Sequence, residues 1–452
     1  MDWSGCAIDN AGFVYITGTG SDNGSVLVKY DAQNGDTIWI RRLHLAVTDE
    51  MIDCAVDKAH NVYITGNEYS SKYDLLTAKY SPNGDTAWVR VYITSGQTWA
   101  TSCSADTSDG LYVVGVANSE SAWIIMKYNG ASGDTIWSRR FNSNTGNNGM
   151  PSSVLDAHGF LYVAGSTHPV FLAVPTLVKY DCATGDTIWT KVINYSDANN
   201  IGRSINASVI DDSGYIYAVG SRSNISDTAT EDFFIVKFNS ETGDTIWTRS
   251  YDGGFHGKDR CYGCAVDNKG GLYITGQSYN GINYDFLTMK CTTSTGDTVL
   301  SCRDDGTIYE PERALSCVTD STGDLYVSGV MNIGGSGVIK TIKYETSTGV
   351  AGKPAAQPLA TLPQSIRNAP NPFHGRTSIL YSTHVAGRVN VTVYNMAGQR
   401  VYTIIDGHQQ PGDHRIAWDG RDAVGNLVPA GVYFCRFCGT DGTSIGRMMV
   451  VR

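Results

Sequence analysis

Short runs of β-branched and aromatic residues recur along this chain, and polar turn residues separate one run from the next. Residues 13–17, 26–30 and 37–41 are three such runs. Runs of this length and composition are typical of β-strands. No segment repeats apolar residues at the i, i+3, i+4 and i+7 positions that a long amphipathic helix requires. The pattern therefore predicts an all-β protein.

The runs belong to a repeat that occurs seven times, with its Tyr-x-x-Gly motifs spaced 48 to 56 residues apart. A segment ending in Asp precedes each motif, and a strand ending in Lys follows it. The repeat aspartates are Asp9, Asp57, Asp106, Asp156, Asp211, Asp267 and Asp320. Five copies continue through Gly-Asp-Thr to a tryptophan, namely Trp39, Trp88, Trp137, Trp189 and Trp247.

Each copy reads as four strands joined by tight turns, which is the signature of a propeller blade. Residues 1–350 are therefore predicted to form a seven-bladed β-propeller, whose closure removes exposed sheet edges. We expect the repeat aspartates to cap turns and the tryptophans to dock one blade on the next. These residues are interpreted as structural positions of the repeat.

The repeat resembles two known propeller families. The segment 181–189, with Gly185-Asp186-Thr187 and Trp189, is similar to the tryptophan-docking repeat of pyrroloquinoline-quinone enzymes and outer-membrane assembly lipoproteins. The Asp-x-x-Gly-x-x-Tyr-x-x-Gly half is closer to the SBBP repeat of secreted bacterial proteins. The resemblance implies the propeller fold over residues 1–350, and fold alone does not define function.

The seventh copy is incomplete, because no tryptophan strand follows Tyr344. The chain also begins directly in the first strand of copy one, without a basic and apolar leader. We expect an upstream segment, carrying the missing strand and a signal peptide, to precede Met1.

The tail has its own organisation. Residues 351–366 are a Pro- and Ala-rich linker, and residues 367–452 contain short strands that predict an immunoglobulin-like β-sandwich. Asn371-Pro372-Phe373, residues 418–422 and residues 431–434 resemble the C-terminal sorting domain of type IX secretion and the related immunoglobulin-like domain of flagellar-hook assembly proteins. The resemblance implies export, with the secretion machinery as a partner and a secreted or outer cell-surface location.

Charge and hydropathy exclude several functions. Residues 351–452 carry ten Lys and Arg and five Asp, so the first 350 residues hold a net charge of −15 out of a total of −10. An acidic body of this kind repels phosphate backbones, which argues against nucleic-acid binding. No apolar run reaches the length of a transmembrane helix.

The candidate chemical groups are mostly explained by the repeat. Five of the eleven cysteines (Cys6, Cys54, Cys103, Cys264 and Cys317) stand three residues before the repeat Asp, and we interpret them as small buried packing groups. Cys435 and Cys438 would face opposite sides of a strand, and Cys261 and Cys264 lack two further zinc ligands. We therefore expect no metal, no cofactor and no catalytic residue.

The remaining polar and aromatic residues favour a binding scaffold for glycans or proteins. Irregular loops at 67–74, 221–232 and 277–285 are predicted to form a ligand-facing rim. The candidate residues are Tyr69, Tyr73, Asp74, Asn224, Asp227, Tyr279, Asn283 and Tyr284. The alternative is a secreted propeller enzyme, either a quinoprotein dehydrogenase or a polysaccharide-active enzyme.

Overall fold

The computed structural model describes residues 4–19, 25–43, 48–117, 122–142, 150–167, 174–193, 201–224, 227–253, 257–280, 283–304, 312–333, 336–345, 366–383, 387–395, 399–410, 412–439 and 442–451. These residues form strands and turns, with no helix among them. The chain divides into two compact units, residues 1–299 with 306–348 and residues 300–305 with 349–452. Within the described ranges, therefore, no helix is available that could cross a membrane.

The first twenty-seven strands form six four-stranded sheets and one three-stranded sheet, each with its strands in chain order. The strands are β1 Cys6–Ile8, β2 Phe13–Thr19, β3 Ser25–Asp31, β4 Thr37–Leu43; β5 Thr48–Val56, β6 Val62–Tyr69, β7 Tyr73–Tyr80, β8 Thr86–Tyr92; β9 Thr98–Ala105, β10 Gly110–Ala117, β11 Ala122–Asn129, β12 Thr135–Asn142; β13 Ser152–Leu155, β14 Phe160–Thr167, β15 Val174–Asp181, β16 Thr187–Val192; β17 Ile201–Ile210, β18 Tyr215–Asn224, β19 Asp227–Asn239, β20 Thr245–Tyr251; β21 Arg260–Val266, β22 Gly271–Tyr279, β23 Tyr284–Thr292, β24 Thr298–Asp304; and β25 Glu312–Thr319, β26 Leu325–Ile333, β27 Ser336–Tyr344. This arrangement confirms the seven-bladed propeller with an incomplete last blade.

The repeat Asp organises the turn between the first and second strands of every blade. In the first blade Asp9 Oδ1 accepts the N–H groups of Ala11 and Phe13, at 3.0 and 2.9 Å, and Asp9 Oδ2 accepts the Tyr15 hydroxyl at 2.9 Å. The same three bonds recur at Asp57, Asp106, Asp156, Asp211, Asp267 and Asp320. One carboxylate thus fixes the turn and satisfies a tyrosine whose ring is buried in the blade.

In six of the seven blades, the Lys at the end of the third strand joins its blade to the next, whereas Lys290 of the sixth blade donates to Asp267 and Tyr273 of its own blade. Lys79 Nζ lies 4.9 Å from the centre of the Tyr63 ring and donates to the Gly130 carbonyl at 2.9 Å. Equivalent bonds run from Lys29 to Pro82, Lys127 to Cys182, Lys179 to Ser240 and Lys237 to Thr293. Lys343 of the seventh blade donates in the same way to Ala32 of the first, at 3.3 Å. The ring is therefore closed by the contact that joins its other blades.

The repeat tryptophans dock under the turn of the following blade. Trp88 Nε1 donates to the Gly130 carbonyl at 2.9 Å, and a Cβ on Gly133 would lie 2.7 Å from the Trp88 ring. Gly133 has a φ of 75° and a buried position, so glycine is required there by both backbone and packing. Matching Nε1 bonds run from Trp39 to Pro82, Trp137 to Cys182 and Trp189 to Glu241.

The second unit contains two sheets that enclose one core, and it matches the predicted immunoglobulin-like sandwich. Its strands are β28 Arg367–Ala369, β29 Thr377–Thr383, β30 Gly387–Asn395, β31 Arg400–Gln409, β32 Gly412–Trp418, β33 Gly431–Gly439 and β34 Gly442–Val450, in the orders β28-β29-β32 and β31-β30-β33-β34. Trp418 is 1% exposed and its ring centre lies 5.7 Å from that of Phe373. Asn371 Oδ1 accepts the Met449 N–H at 2.8 Å, which ties the two ends of the unit together.

Replacing Gly133 with alanine should destabilise the propeller more than the same change at Gly35. Both glycines have left-handed φ values, 75° and 78°, so both changes carry a strain of roughly 1 kcal/mol. The new methyl group at position 133 would also overlap Trp88, which adds about 1–3 kcal/mol. At Gly35, no atom of the described residues lies within 4 Å of the place that a Cβ would occupy. Urea unfolding measures the difference, and equal losses would contradict the docking role of Trp88.

Candidate functional site

The first strands of the seven blades surround an axial cavity of about 270 Å³. Its wall includes the repeat position that carries a thiol or hydroxyl group, namely Cys6, Cys54, Cys103, Ser153, Ser208, Cys264 and Cys317. Cys54 Sγ donates to the Tyr15 carbonyl at 3.7 Å and Cys264 Sγ to the Tyr217 carbonyl at 4.0 Å, so both sulfurs point into the preceding blade. This geometry is that of a packing group.

Burial keeps these thiols protonated. Desolvation raises the pKa of Cys6, Cys54 and Cys103 well above the ordinary thiol value. A metal-binding or nucleophilic cysteine needs the thiolate form, which this environment disfavours. In the parts of the chain that the structure describes, no three His, Cys, Asp or Glu side chains form a metal-binding group.

Asp53 is the one charged residue of the cavity wall as described. Its Oδ1 accepts the N–H of Cys54 and its Oδ2 accepts the N–H of Cys103 in the next blade, each at 2.9 Å. Burial raises the pKa of the Asp53 carboxyl to about 6, although the hydrogen bonds from Cys103, Cys54 and Ser102 lower it. The Asp53 carboxyl group therefore has a pKa of about 6 and joins two blades.

The serines at the same position of the next two blades show what Asp53 does for the fold. Ser102 Oγ accepts the Ser153 N–H at 3.2 Å, and Ser152 Oγ accepts the Ser208 N–H at 2.9 Å. A neutral hydroxyl thus makes the same inter-blade bond. The inter-blade hydrogen bond therefore does not require the negative charge of Asp53.

A pyrroloquinoline quinone, which the alternative of a quinoprotein enzyme would require, does not fit this cavity. The cofactor carries three carboxylate groups and needs cationic or donor-rich surroundings. The described wall offers Asp53 and contains no Lys or Arg, so an anionic ligand would face an anionic side chain. No redox step is derived from this site.

A second candidate site lies where the second and third strands of a blade meet. In the second blade the ring centres of Tyr69 and Tyr73 lie 4.9 Å apart, and Tyr73 lies 5.6 Å from Trp99 of the next blade. Tyr69 is 36% exposed, and Tyr73 and Trp99 are half-buried. We call these three residues the aromatic rim of the second blade.

Polar contacts fix the aromatic rim to the neighbouring blade. Asn67 Oδ1 accepts the Ala100 N–H at 2.9 Å, and Thr98 Oγ1 accepts the Leu75 N–H at 3.1 Å. Lys72 pairs with Asp74, which is 4% exposed, and donates to the Gly96 carbonyl at 3.3 Å. Asp74 therefore lies beneath the surface and orients the hairpin. These contacts hold the rings of the rim against the neighbouring blade.

The sixth blade carries tyrosines at the same two repeat positions. Tyr279 and Tyr284 face each other across β22 and β23, with ring centres 5.5 Å apart, and both are half-buried. Asn283 is 9% exposed, and its Oδ1 accepts the Asn280 Nδ2–H at 2.6 Å. The tyrosines thus border the surface while Asn283 closes the hairpin.

The prediction of irregular loops at these places is wrong. Strand pairing continues to Tyr69 and Tyr73 in the second blade, and in the fifth blade Asn224 pairs with Asp227 at the end of β18 and β19. Cross-strand aromatic pairs favour such continued pairing. The side chains of Asn224 and Asp227 lie outside the described residues.

Several residues of these sites escaped sequence reasoning. Asp53 occupies a position that carries Ser, Gly or Ala in the other copies, and that mismatch was an available signal. Trp99 stands four residues before Cys103 and outside the docking motif, which also marked it as unusual. Its contact with Tyr73 joins two copies of the repeat.

Comparison with known proteins agrees with the fold. Among solved structures, hydrazine synthase of Kuenenia stuttgartiensis is similar at 12% identity and a TM-score of 0.53, over 76% of this chain and 95% of that one. The propeller domain of the Trilobed protease from Pyrococcus furiosus has 7% identity over 76% and 94% of the chains, with a TM-score of 0.46. A quinohemoprotein alcohol dehydrogenase of Pseudomonas putida HK5 has 12% identity over 78% and 68%, with a TM-score of 0.42. Such likeness concerns the fold alone.

The fold and the repeat define a propeller of the pyrroloquinoline-quinone-like class. A family model described as outer membrane protein assembly factor BamB matches residues 21–266, which is more than half of the chain. The chain therefore belongs to the BamB family. A model described as the FlgD Ig-like domain matches residues 374–441 of the second unit. No curated protein sequence matches the chain.

Replacing Asp53 with serine should remove a pH dependence of stability. Folded Asp53 keeps its proton up to about pH 6, whereas an unfolded Asp releases it near pH 3.9. The folded state therefore binds more protons between these values, and its free energy of unfolding falls as the pH rises, by on the order of 1–3 kcal/mol in total. Serine keeps the inter-blade bond, as at Ser102.

Urea unfolding of the wild type and of Asp53→Ser at several pH values from 4 to 7 measures this effect. The stability of the variant relative to the wild type should increase from pH 4 to pH 6 and then level off. A difference that stays constant across this range would show that Asp53 titrates normally.

Proposed function

We propose that this chain is an extracytoplasmic binding scaffold that holds a glycan or a protein surface on the aromatic rim of the second blade. The observation that carries the proposal is the grouping of Tyr69, Tyr73 and Trp99, from two blades, at one partly exposed edge. Tyrosine and tryptophan supply large and rigid contact areas at low entropic cost. Their apolar faces and polar tips suit a sugar ring or a mixed protein surface.

Membership in the BamB family supports an extracytoplasmic location. The acidic charge of the first 350 residues favours a neutral or cationic ligand over an anionic polysaccharide. Burial raises the pKa of the Tyr73 hydroxyl, and the nearby Glu50 carboxylate raises it further. A carboxylate group therefore lies near the rings of the rim. It could accept hydrogen bonds from ligand hydroxyl or ammonium groups.

Alanine substitutions in the aromatic rim should weaken binding. Glycan and protein arrays first identify a ligand of the wild-type chain, and calorimetry then compares Tyr69→Ala and Trp99→Ala with it. Loss of an aromatic contact residue should reduce affinity by about tenfold or more, as for aromatic residues at other binding surfaces. Tyr402→Ala is the matched control, since Tyr402 is 37% exposed on the second unit.

Two outcomes would count against the binding role. One is unchanged affinity in both rim variants while their thermal unfolding resembles that of the wild type. The other is catalytic turnover, either in a dye-linked dehydrogenase assay with added quinone and calcium or as cleavage of an array polysaccharide. Turnover would favour the enzyme alternative.

We propose further that the second unit is an export signal read by type IX secretion machinery. Its immunoglobulin-like fold and the FlgD-type match support this role. The basic character of residues 351–452, set against the acidic first 350 residues, gives the machinery a chemically distinct surface to recognise.

Secretion of the full chain tests this second proposal. The chain is placed behind a host signal peptide and expressed in a bacterium that has type IX secretion, and in an isogenic strain that lacks it. It should accumulate outside the cell or on its surface in the first strain and in the periplasm of the second. Equal export from both strains would show that the second unit is a structural module.

A further inference from the structure

The wall of the axial cavity contains a β-bulge residue from each of five blades. In these blades the first strand carries one residue more than its partner strand, and the extra residues are Ile52, Thr101, Asn206, Tyr262 and Leu315. All five line the cavity. Bulges redirect side chains and are frequent beside ligand sites. Because these five side chains differ in chemistry, the wall varies from blade to blade although the backbone repeats.

Asp53 follows one of these bulges and has room for a further hydrogen bond. Its carboxylate accepts the N–H groups of Cys54 and Cys103, each at 2.9 Å, and a hydrogen bond from the Ser102 side chain. An ionised carboxyl group offers about four acceptor positions, so about one is left for a ligand. The three donors are neutral, and the described wall contains no Lys or Arg. The negative charge of Asp53 therefore has no counter-charge among the described residues of the wall.

Asn206 supplies a second acceptor from another blade. Its Nδ2 donates to the Cys261 carbonyl at 2.8 Å, which orients the amide. Within the described ranges its Oδ1 accepts no hydrogen bond. Tyr262 lines the same cavity, and an aromatic ring attracts a cation over its face. The groups available to a ligand thus favour a cation that donates several hydrogen bonds.

We propose that the axial cavity binds a small organic ammonium compound with hydroxyl groups, such as an amino alcohol, whose ammonium group pairs with Asp53. An ammonium group carries three donors and no acceptor, which matches the acceptors of Asp53 and Asn206. The ligand hydroxyl groups meet the hydroxyl-bearing side chains of the wall, such as Ser152 and Ser208. The cavity volume of about 270 Å³ is below the roughly 300–1,000 Å³ of sites for drug-sized ligands, so the ligand is small.

A bare metal ion is a poorer occupant of this cavity. A calcium ion takes about six to eight oxygen ligands, commonly with several carboxylates among them. The described wall supplies the single carboxylate of Asp53, and the described residues contain no group of three metal-binding side chains. An ammonium compound needs one carboxylate and brings its own hydrogen-bond donors.

Asp53 makes the affinity of this site depend on pH. Burial raises the pKa of its carboxyl group to about 6, and the ammonium group pairs with the ionised form. Burial also raises the pKa values of the other titratable groups of the described wall, so they stay neutral at pH 5–7; these groups are Cys6 on β1, Cys54 on β5, Cys103 on β9, Cys264 and Tyr262 on β21, and Cys317 on β25. The ionised fraction of Asp53 falls from about 90% at pH 7 to about 10% at pH 5, so the affinity should fall about tenfold.

Two small molecules, 2-amino-1,3-propanediol and glycerol, are the matched probes. They differ only at the central carbon, which carries an amino group in the first and a hydroxyl group in the second. Calorimetry at pH 7 should show saturable binding of the amino compound to the full chain. It should bind at least about tenfold more tightly than glycerol, because a charge-assisted hydrogen bond is stronger than a neutral one. At pH 5 the affinity of the amino compound should be about tenfold lower.

Two variants separate the charge of Asp53 from other effects. Asp53→Ser removes the charge and keeps a hydroxyl group of the kind that Ser102 uses for its inter-blade bond. It should weaken binding at least about tenfold and leave the residual affinity independent of pH from 5 to 7. Asp134→Ser is the matched control, since it removes a carboxylate that is 76% exposed beside Arg90. It should bind the amino compound as the wild type does.

Several results would overturn the proposal. They are the absence of saturable binding, equal binding of the amino compound and glycerol, full binding by Asp53→Ser, or an affinity that stays constant from pH 5 to pH 7. Displacement of the amino compound by calcium chloride at equal concentration would assign the cavity to a metal ion. If thermal unfolding shows that Asp53→Ser is misfolded, the pH series and the glycerol comparison on the wild type still decide. None of these measurements depends on the aromatic rim, so the two sites are tested separately.

Discussion

The propeller depends on one recurring contact, in which a carbonyl group of the third-to-fourth-strand turn accepts hydrogen bonds from the preceding blade, and six blades show it. The donors are a lysine that lies over a buried tyrosine and, in most pairs, the indole N–H of a tryptophan. A charged donor makes a stronger hydrogen bond than a neutral one, and burial of the aromatic groups adds apolar stabilisation. Because each contact joins different copies, a single blade cannot make it, and the ring is stable only as a whole.

This contact also explains why the molecule offers few candidate catalytic groups. The repeat Asp bonds to its own turn and tyrosine, the repeat Cys packs against the preceding blade, and both are fully used by the fold. Functional meaning therefore rests on departures from the repeat. Asp53 adds a charge where serine is sufficient, and Trp99 stands outside the docking motif.

Each departure changes a different property. Asp53 couples stability to pH, because the carboxylate is buried without a cation among the described residues of the cavity wall. Trp99 extends the Tyr69–Tyr73 pair across a blade boundary, so the aromatic rim contains rings from two blades. The aromatic rim is thus built from features that the ring already uses.

The sequence by itself determined the number of blades, the incomplete seventh copy and the docking role of residues such as Trp88, because these follow from a local pattern repeated along the chain. It also located the tyrosines of the rim, though not the continued strands that present them. The tertiary structure alone decided that Asp53 borders the cavity, since a β-bulge between Met51 and Asp53 breaks the alternation from which a face could be assigned. It likewise decided that Tyr73 meets Trp99. These relations join residues of different blades, and only closure of the ring brings them together.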